Sequence, residues 1–243
     1  MRDATHPARV LFLLLVALPA QAQEQEQLAI KSTGDRIEVE LAGHRLTMPL
    51  PMWAVESDVP VDQANIIYNE VESGVDSLLL LPLDSTVVTW KQLMGALVVH
   101  RPGYKAAAQV QSIVERCRRA ARRACSRPGP CRPCRQAGAN GFLLLCGRYK
   151  PTVAASTRNC AAGIVIGVVM ETTEGAAKVY LEWCTASFNP KDKASWPLPE
   201  PELVQYAANL QAKTRLEALV TTVTAPPGET PSLDAQPDAA PAD

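Results

Sequence analysis

The residues best suited to chemistry are two cysteines separated by two residues, Cys131 and Cys134. Such a pair can cycle between dithiol and disulfide when nearby cations lower the pKa of one thiol. Arg127, Arg132 and Arg135 could supply those cations. A Pro-Gly-Pro run precedes the pair and no helical pattern follows it. We therefore predict framework cysteines in a surface loop, with a thiol–disulfide redox pair as the alternative.

The same region offers four thiols that could ligate zinc, namely Cys125, Cys131, Cys134 and Cys146. A closed structural zinc site takes four such ligands, usually from two C-x-x-C pairs, and this sequence has one pair. An oxidising compartment also favours disulfides over thiolates. We therefore predict no metal site and no cofactor.

All seven cysteines lie in the second half of the chain. The disulfide candidates are Cys117, Cys125, Cys131, Cys134, Cys146, Cys160 and Cys184. In an exported protein they tend to pair with one another. Because seven is an odd number, at least one is free or bonded to another chain, and the sequence leaves the pairing open.

Eight arginines fall between residues 116 and 135. Such a cluster can bind an acidic partner or an anionic surface, and Arg116, Arg119, Arg122 and Arg123 are the candidates for that face. A solvated helix face beside a polar loop is the interpretation that such a charge run favours, and contact with the acidic tail of the same chain is a further alternative. No aromatic residue lies within the cluster, so nucleic-acid bases have no stacking platform and we predict no nucleic-acid partner.

Familiar catalytic patterns are missing from the sequence. His44 and His100 both lie in or beside predicted strands, where a histidine is usually packed or on the surface. Neither a G-x-S-x-G elbow nor a glycine-rich phosphate loop occurs. Glu182 and Trp183 are predicted to take part in strand packing rather than in a site. We therefore expect no catalytic residue.

The clearest predicted element is the helix that carries most of the arginines. Its apolar residues step by three or four along one face: Val110, Ile113, Val114, Cys117, Ala121 and Ala124. Glu115 and the arginines fall off that stripe. The segment 126–140 is rich in Pro, Gly, Cys and Arg, so we predict a loop there.

Most of the other elements are predicted strands. They are a hairpin at 37–48 around Ala42-Gly43, buried strands at 77–83, 97–99 and 142–146, and a second hairpin of 163–170 with 178–185. Helices are predicted at 62–73 and from about Glu202, with Leu203, Ala207 and Leu210 inside and Leu216 and Leu219 near the end. This order predicts an α+β fold with a central, mainly antiparallel sheet flanked by helices, a disulfide-rich loop region and a disordered C-terminal tail.

The run SLLLLPLDSTVVTWKQLMGALVV combines a Leu-Pro step, a small acidic turn and Trp90 at the start of a strand. Together with the closing hairpin at Glu182-Trp183 and the last helix, it resembles the PsbP/Mog1-like α/β/α sandwich, which includes uncharacterised exported bacterial proteins. The resemblance would cover about residues 36–219. It implies a fold and carries over no catalytic residue, and the cysteine-rich insertion departs from the simplest form of the pattern.

The first 22 residues have the pattern of a secretory signal peptide. Arg2 and Arg9 precede an unbroken apolar run at 10–18, and Ala20-Gln21-Ala22 supplies small residues for cleavage. Crossing a bilayer takes about 20 apolar residues, so the run is too short for an anchor. We therefore expect a periplasmic or secreted protein with no membrane span after cleavage.

The remaining chain divides into a single domain at 23–224 and a tail at 225–243. The tail has four acidic residues, five prolines and no basic residue, which predicts disorder. Formal net charge of the whole chain is −1. The leading hypothesis is an exported, non-enzymatic binding or accessory protein with an envelope protein as partner. The alternatives are a thiol–disulfide redox protein and a component of a secretion or conjugation apparatus.

Overall fold

The chain forms two antiparallel β-sheets and three α-helices in a computed structural model that describes residues 28–57, 61, 64–86, 88–133, 140–151 and 160–219. The predicted signal peptide at 1–22 and the predicted tail at 225–243 lie outside these residues. Every strand pair within the described part is antiparallel. The predicted fold class is therefore confirmed.

A small sheet has four strands in the order β1-β2-β3-β11 and a large sheet has seven in the order β4-β5-β6-β10-β9-β8-β7. The strands are β1 (Ile30–Thr33), β2 (Arg36–Leu41), β3 (His44–Pro49), β4 (Asn65–Glu72), β5 (Val75–Leu81), β6 (Gln92–His100), β7 (Cys125–Pro133), β8 (Gly141–Tyr149), β9 (Ala162–Glu171), β10 (Gly175–Thr185) and β11 (Arg215–Ala218). The helices are α1 (Met52–Ser57), α2 (Ala106–Ala124) and α3 (Glu200–Lys213).

The predicted first hairpin is confirmed by β2 and β3 of the small sheet. Its two-residue turn places Ala42 at φ 45° and Gly43 at φ 70°, as the right-handed twist of a tight hairpin requires. The carboxylate of Asp76 on β5 accepts the backbone N–H of Ala42 at 2.6 Å. This hydrogen bond to the buried Asp76 ties the turn of the small sheet to the large sheet.

The main core lies between the small sheet and the first face of the large sheet. Side chains alternate along each strand, so Ile164, Ile166 and Val168 of β9 point into this core. The small sheet and α3 supply the opposing surface, through Ile37, Val39, Leu41, Leu46, Met48, Leu203, Ala207 and Leu210. The predicted inner face of the last helix is confirmed.

Helix α2 packs against the second face of the large sheet. Its apolar stripe meets Phe142 on β8 and Val169 on β9. A Cβ atom on Gly167 would lie 2.5 Å from the ring of Phe142, so the ring occupies the space that a side chain would take. Strands β8 and β9 are therefore covered on both faces, which explains their near-continuous apolar sequences.

The predicted helix at 62–73 is wrong, because this segment contains strand β4. Ile66 and Tyr68 pack against the main core, whereas Ile67 packs on the other side of the sheet. That alternation is a strand period, and the β-branched and aromatic residues suit it. Pairing with β5 supplies backbone hydrogen bonds that a helix would have made internally.

The predicted loop at 126–140 is also wrong in its first half, where β7 forms the edge of the large sheet. The register between β7 and β8 shifts three times between Cys125 and Cys131. Pro128 and Pro130 cannot donate ladder hydrogen bonds, which suits an edge strand with bulges. Residues 134–139 lie outside the described part.

The end of the last predicted helix needs a smaller correction. Helix α3 ends at Lys213, and Leu216 lies in β11, where it pairs with Leu46 of β3. Leu219 follows this strand, and its N–H donates to the carbonyl of Gly43 at 2.9 Å. Because β11 pairs with β3, Leu216 packs against the main core although α3 ends three residues before it.

We expect Gly167→Ala to lower the free energy of unfolding by about 1–3 kcal/mol, as overpacking of a filled core does. The new methyl group would meet the buried Phe142 ring at 2.5 Å and the carbonyl oxygen of Val179 at 2.6 Å. Urea denaturation followed by circular dichroism measures the change. In the double variant Gly167→Ala/Phe142→Leu, the free energy of unfolding should fall by less than the sum of the two single-variant losses. Strictly additive losses would contradict this account.

Candidate functional site

All six cysteines in the described part of the chain are paired in three disulfides. The pairs are Cys117–Cys131, Cys125–Cys146 and Cys160–Cys184. The prediction of disulfides is confirmed for these six. Cys134 lies outside the described residues.

Two of the disulfides fasten α2 and β7 to the large sheet. Cys117 lies on the buried side of α2 and reaches Cys131 on β7, while Cys125 at the helix end reaches Cys146 on β8. The backbone N–H of Lys150, just after β8, donates to the carbonyl of Ala124 at 2.8 Å. The last turns of α2, the start of β7 and the end of β8 therefore meet in one fixed corner of the fold.

These pairings bear on the two cysteine hypotheses. Cys131 is bonded to Cys117, so the structure does not contain a Cys131–Cys134 disulfide. Cys125, Cys131 and Cys146 are all in disulfides and are not the thiolates that the zinc alternative requires. The described residues contain no group of three or more His, Cys, Asp or Glu side chains placed to hold a metal ion.

Six exposed arginines surround this corner, and we call them the arginine surface. They are Arg118, Arg119, Arg122 and Arg123 on α2, Arg127 on β7 and Arg148 on β8. None of them makes an ion pair with any described residue. The nearest acidic residue in sequence, Glu115, is exposed one turn earlier on α2.

The arginine surface contains several like-charge neighbours. Arg118 and Arg122, and likewise Arg119 and Arg123, are four residues apart on α2, a spacing that brings side chains together. Arg127 and Arg148 are directly opposite in the register of β7 and β8. Neighbours of like charge destabilise a helix or a strand pair by a few tenths of a kcal/mol each.

The predicted anionic-partner face stays a prediction, and its four arginines differ in exposure. Arg119, Arg122 and Arg123 are exposed as that prediction requires, but Arg116 is half-buried, and its Nε donates to the carbonyl of Ser112 at 3.3 Å. The side chain of Arg132 and all of Arg135 lie outside the described part. Arg148 was not predicted, because only the β7–β8 register brings it to this corner.

Arg116 instead lies within electrostatic range of Lys178 on β10. There Lys178 Nζ lies 4.6 Å from the centre of the Tyr180 ring, a cation–π contact. Burial of the amine lowers the pKa of Lys178 to about 8, with Glu182 opposing the shift and Arg116 adding to it. Folding therefore disfavours the protonated, charged form of this half-buried lysine.

The two histidines form a small polar junction at another end of the sheets. His44 is fully buried, and its Nδ1–H donates to the Ala42 carbonyl at 2.8 Å while Nε2 lies at hydrogen-bond distance, 3.3 Å, from the Thr172 hydroxyl. The exposed His100 ring lies 5.4 Å from the His44 ring. Both ring nitrogens of His44 are used structurally, as its predicted role as a packed residue requires.

The predicted strand packing at Glu182-Trp183 matches the structure. Trp183 is buried in the main core, with its ring 5.4 Å from the ring of Tyr206 on α3. Glu182 is half-buried on the opposite face of β10, on the side of Lys178. These residues position α3 and the sheet rather than forming a separate site.

The fold and the cysteines define the general class of protein. Three disulfides in a mainly antiparallel β fold indicate an exported protein of an oxidising compartment. No described helix combines the length and the apolar character needed to cross a bilayer. No family model, no curated protein and no solved structure matches the chain, so the PsbP/Mog1-like resemblance stays a prediction.

We expect the oxidised, denatured chain to show one alkylatable thiol, at Cys134. The other six cysteines are bonded to each other, which leaves Cys134 no intrachain partner. Alkylation without reductant followed by peptide mass spectrometry checks the position. Alkylation at Cys117 or Cys131 instead would contradict the pairing that joins α2 to β7.

We expect Lys178 to make the free energy of unfolding rise between about pH 8 and pH 10.5. The pKa of Lys178 falls from 10.5 to about 8 on folding, so the unfolded chain binds more protons within this window. Lys178→Met should have a higher free energy of unfolding than wild type at pH 7. Its free energy of unfolding should also lack the increase between about pH 8 and pH 10.5 that Lys178 causes. Urea denaturation at several pH values measures both effects. The exposed Lys31→Met variant is the control, and equal pH profiles for the two variants would contradict the assignment.

Proposed function

We propose that the chain is an exported accessory protein of the cell envelope that binds an acidic partner protein through the arginine surface. The proposal rests on six exposed guanidinium groups that make no ion pair with any described residue. Arginine presents planar donors that fit a carboxylate in two parallel hydrogen bonds. A surface rich in Asp or Glu is therefore the complementary partner.

The dipole of α2 explains only part of the arginine surface. Cations in the last turn of a helix interact favourably with its macrodipole, which gives Arg122 and Arg123 a local role. Arg127 and Arg148 are on strands, where they face each other across the β7–β8 pair. Because that juxtaposition weakens the pair, a partner that supplies negative charge would relieve a cost that the isolated fold carries.

The backbone around the arginine surface is also held in place before binding. Cys117–Cys131 and Cys125–Cys146 connect the C-terminal half of α2, β7 and β8. A surface fixed in advance loses less conformational entropy when it binds. The two disulfides thus favour a binding role for this corner.

The thiol–disulfide alternative lacks comparable support, because the first cysteine of its motif is bonded to Cys117. A place in a secretion or conjugation apparatus stays a prediction that no described feature favours.

The test is binding of a polyglutamate peptide by the mature chain, measured by fluorescence anisotropy at several salt concentrations. Reversing four charges by Arg118→Glu, Arg119→Glu, Arg122→Glu and Arg123→Glu should weaken binding at least tenfold, equivalent to about 1.4 kcal/mol. Raising the salt should weaken wild-type binding, because exposed charges are screened.

A matched control reverses four other exposed basic residues by Lys31→Glu, Lys91→Glu, Arg101→Glu and Lys191→Glu. It changes net charge equally and should bind like wild type. A neutral set with glutamine at the four α2 positions covers the case in which charge reversal disturbs folding. Equal loss in both quartets, or binding to phosphatidylglycerol vesicles but not to polyglutamate, would overturn the proposal.

A further inference from the structure

The charges of this chain are separated along its length. Six arginines are gathered at one corner, yet the formal net charge of the whole chain is −1. Part of the compensating charge lies in 220–243, where Glu229, Asp234, Asp238 and Asp243 occur without a single basic residue. This segment lies outside the described residues, and its composition is what the proposed function expects of a partner.

The point where this segment leaves the fold is fixed. Leu219 follows β11 and hydrogen-bonds to Gly43 beside the β2–β3 turn. His44 in that turn contacts Thr172 at the end of β9. The start of α2 lies at the same end of the sheet, because the N–H of Ala106 donates to the carboxylate of Glu171. Leu219 and the first turn of α2 thus lie at the same end of the large sheet.

The distances allow the acidic residues to reach the arginine surface. Helix α2 has 19 residues, so its far end is about 28 Å from its start at 1.5 Å per residue. Glu229 is ten residues beyond Leu219, and ten extended residues span about 33 Å. Asp234, Asp238 and Asp243 have longer connections still, the shortest being fifteen residues or about 50 Å, so these three carboxylates can reach the C-terminal half of α2 and the β7–β8 corner even with the added distance from Leu219 to the start of α2.

We propose that segment 220–243 docks on the arginine surface and competes there with the acidic partner. The inference rests on the proposed function, because it states how binding of the acidic partner would be regulated. A tethered ligand acts at an effective concentration in the millimolar range, so several weak carboxylate–guanidinium contacts suffice. Attraction between exposed charges fades over about 8 Å at physiological salt, so the docked state is sensitive to ionic strength.

Competition of this kind gives a specific affinity signature. When a fraction of the surface is occupied by the segment, the measured affinity for any other acidic ligand is the intrinsic affinity multiplied by the unoccupied fraction. Occupancy of 80–90% would weaken binding by roughly five- to tenfold. Neutralising the segment should therefore tighten binding of polyglutamate by that factor.

The first arm of the test uses the full mature chain with Glu229→Gln, Asp234→Asn, Asp238→Asn and Asp243→Asn. We expect this variant to bind polyglutamate roughly five- to tenfold more tightly than wild type. The control neutralises four exposed acids elsewhere by Glu40→Gln, Asp84→Asn, Glu174→Gln and Glu217→Gln. The control makes the same change in net charge and should bind like wild type.

The second arm detects docking directly and needs no added ligand. Gln236→p-benzoylphenylalanine places a photo-crosslinker between two of the acidic residues. We expect intramolecular crosslinks to α2 and the β7–β8 corner, mapped by mass spectrometry, and their loss in 1 M salt or in the neutralised variant. Crosslinks spread over the whole surface, with no effect of salt, would overturn the docking proposal.

The two arms separate this inference from the proposed function. If crosslinks reach the arginine surface but polyglutamate binds no variant, docking stands and the proposed function fails. If polyglutamate binds the arginine surface with equal affinity in the neutralised variant, the proposed function stands and docking is overturned.

Discussion

The fold depends on a large sheet in which the neighbouring strands β8 and β9 are apolar on both faces. Strand β9 places Ile164, Ile166 and Val168 on one face and packs Val169 under α2 on the other. A sheet of this kind must be covered twice, because neither face tolerates water. The small sheet with α3 covers one side and α2 covers the other. The order of layers follows from this single requirement, and so does the placement of the helix that carries the arginines.

The disulfides compensate for the weakest part of that arrangement. Strand β7 contains proline and glycine and has three register shifts against β8, so its ladder contributes little. Cys117–Cys131 and Cys125–Cys146 replace the missing backbone hydrogen bonds with covalent links to α2 and β8. Each restricts the unfolded chain, an effect of about 3 kcal/mol for a loop of roughly this length. A sequence that would be a loop in a reduced protein is thereby held as an edge strand.

The sequence predicts an element correctly where its apolar residues follow a single period. The stripe from Val110 to Ala124 has only a helical period, and α2 was predicted for that reason. The segment at 62–73 fits both periods over a few residues, and only the partner strand β5 decides between them. Cysteine pairing could not be derived, since it depends on a β7–β8 register broken by bulges. The same register places Arg148 on the arginine surface, whereas Arg116 is not part of it because its side chain is half-buried and donates to the carbonyl of Ser112.

The two edges of the large sheet differ in how open they are to another chain. Edge strand β7 combines Pro128, Pro130 and Pro133 with bulges and an exposed arginine, features that block the addition of a further strand. The other edge, β4, has an uncharged stretch from Asn65 to Asn69 and one irregularity near Glu70. Within the described residues, β4 pairs only with β5. Strand pairing between large sheets of two chains would therefore start at β4, and the two glutamates that end this strand oppose it.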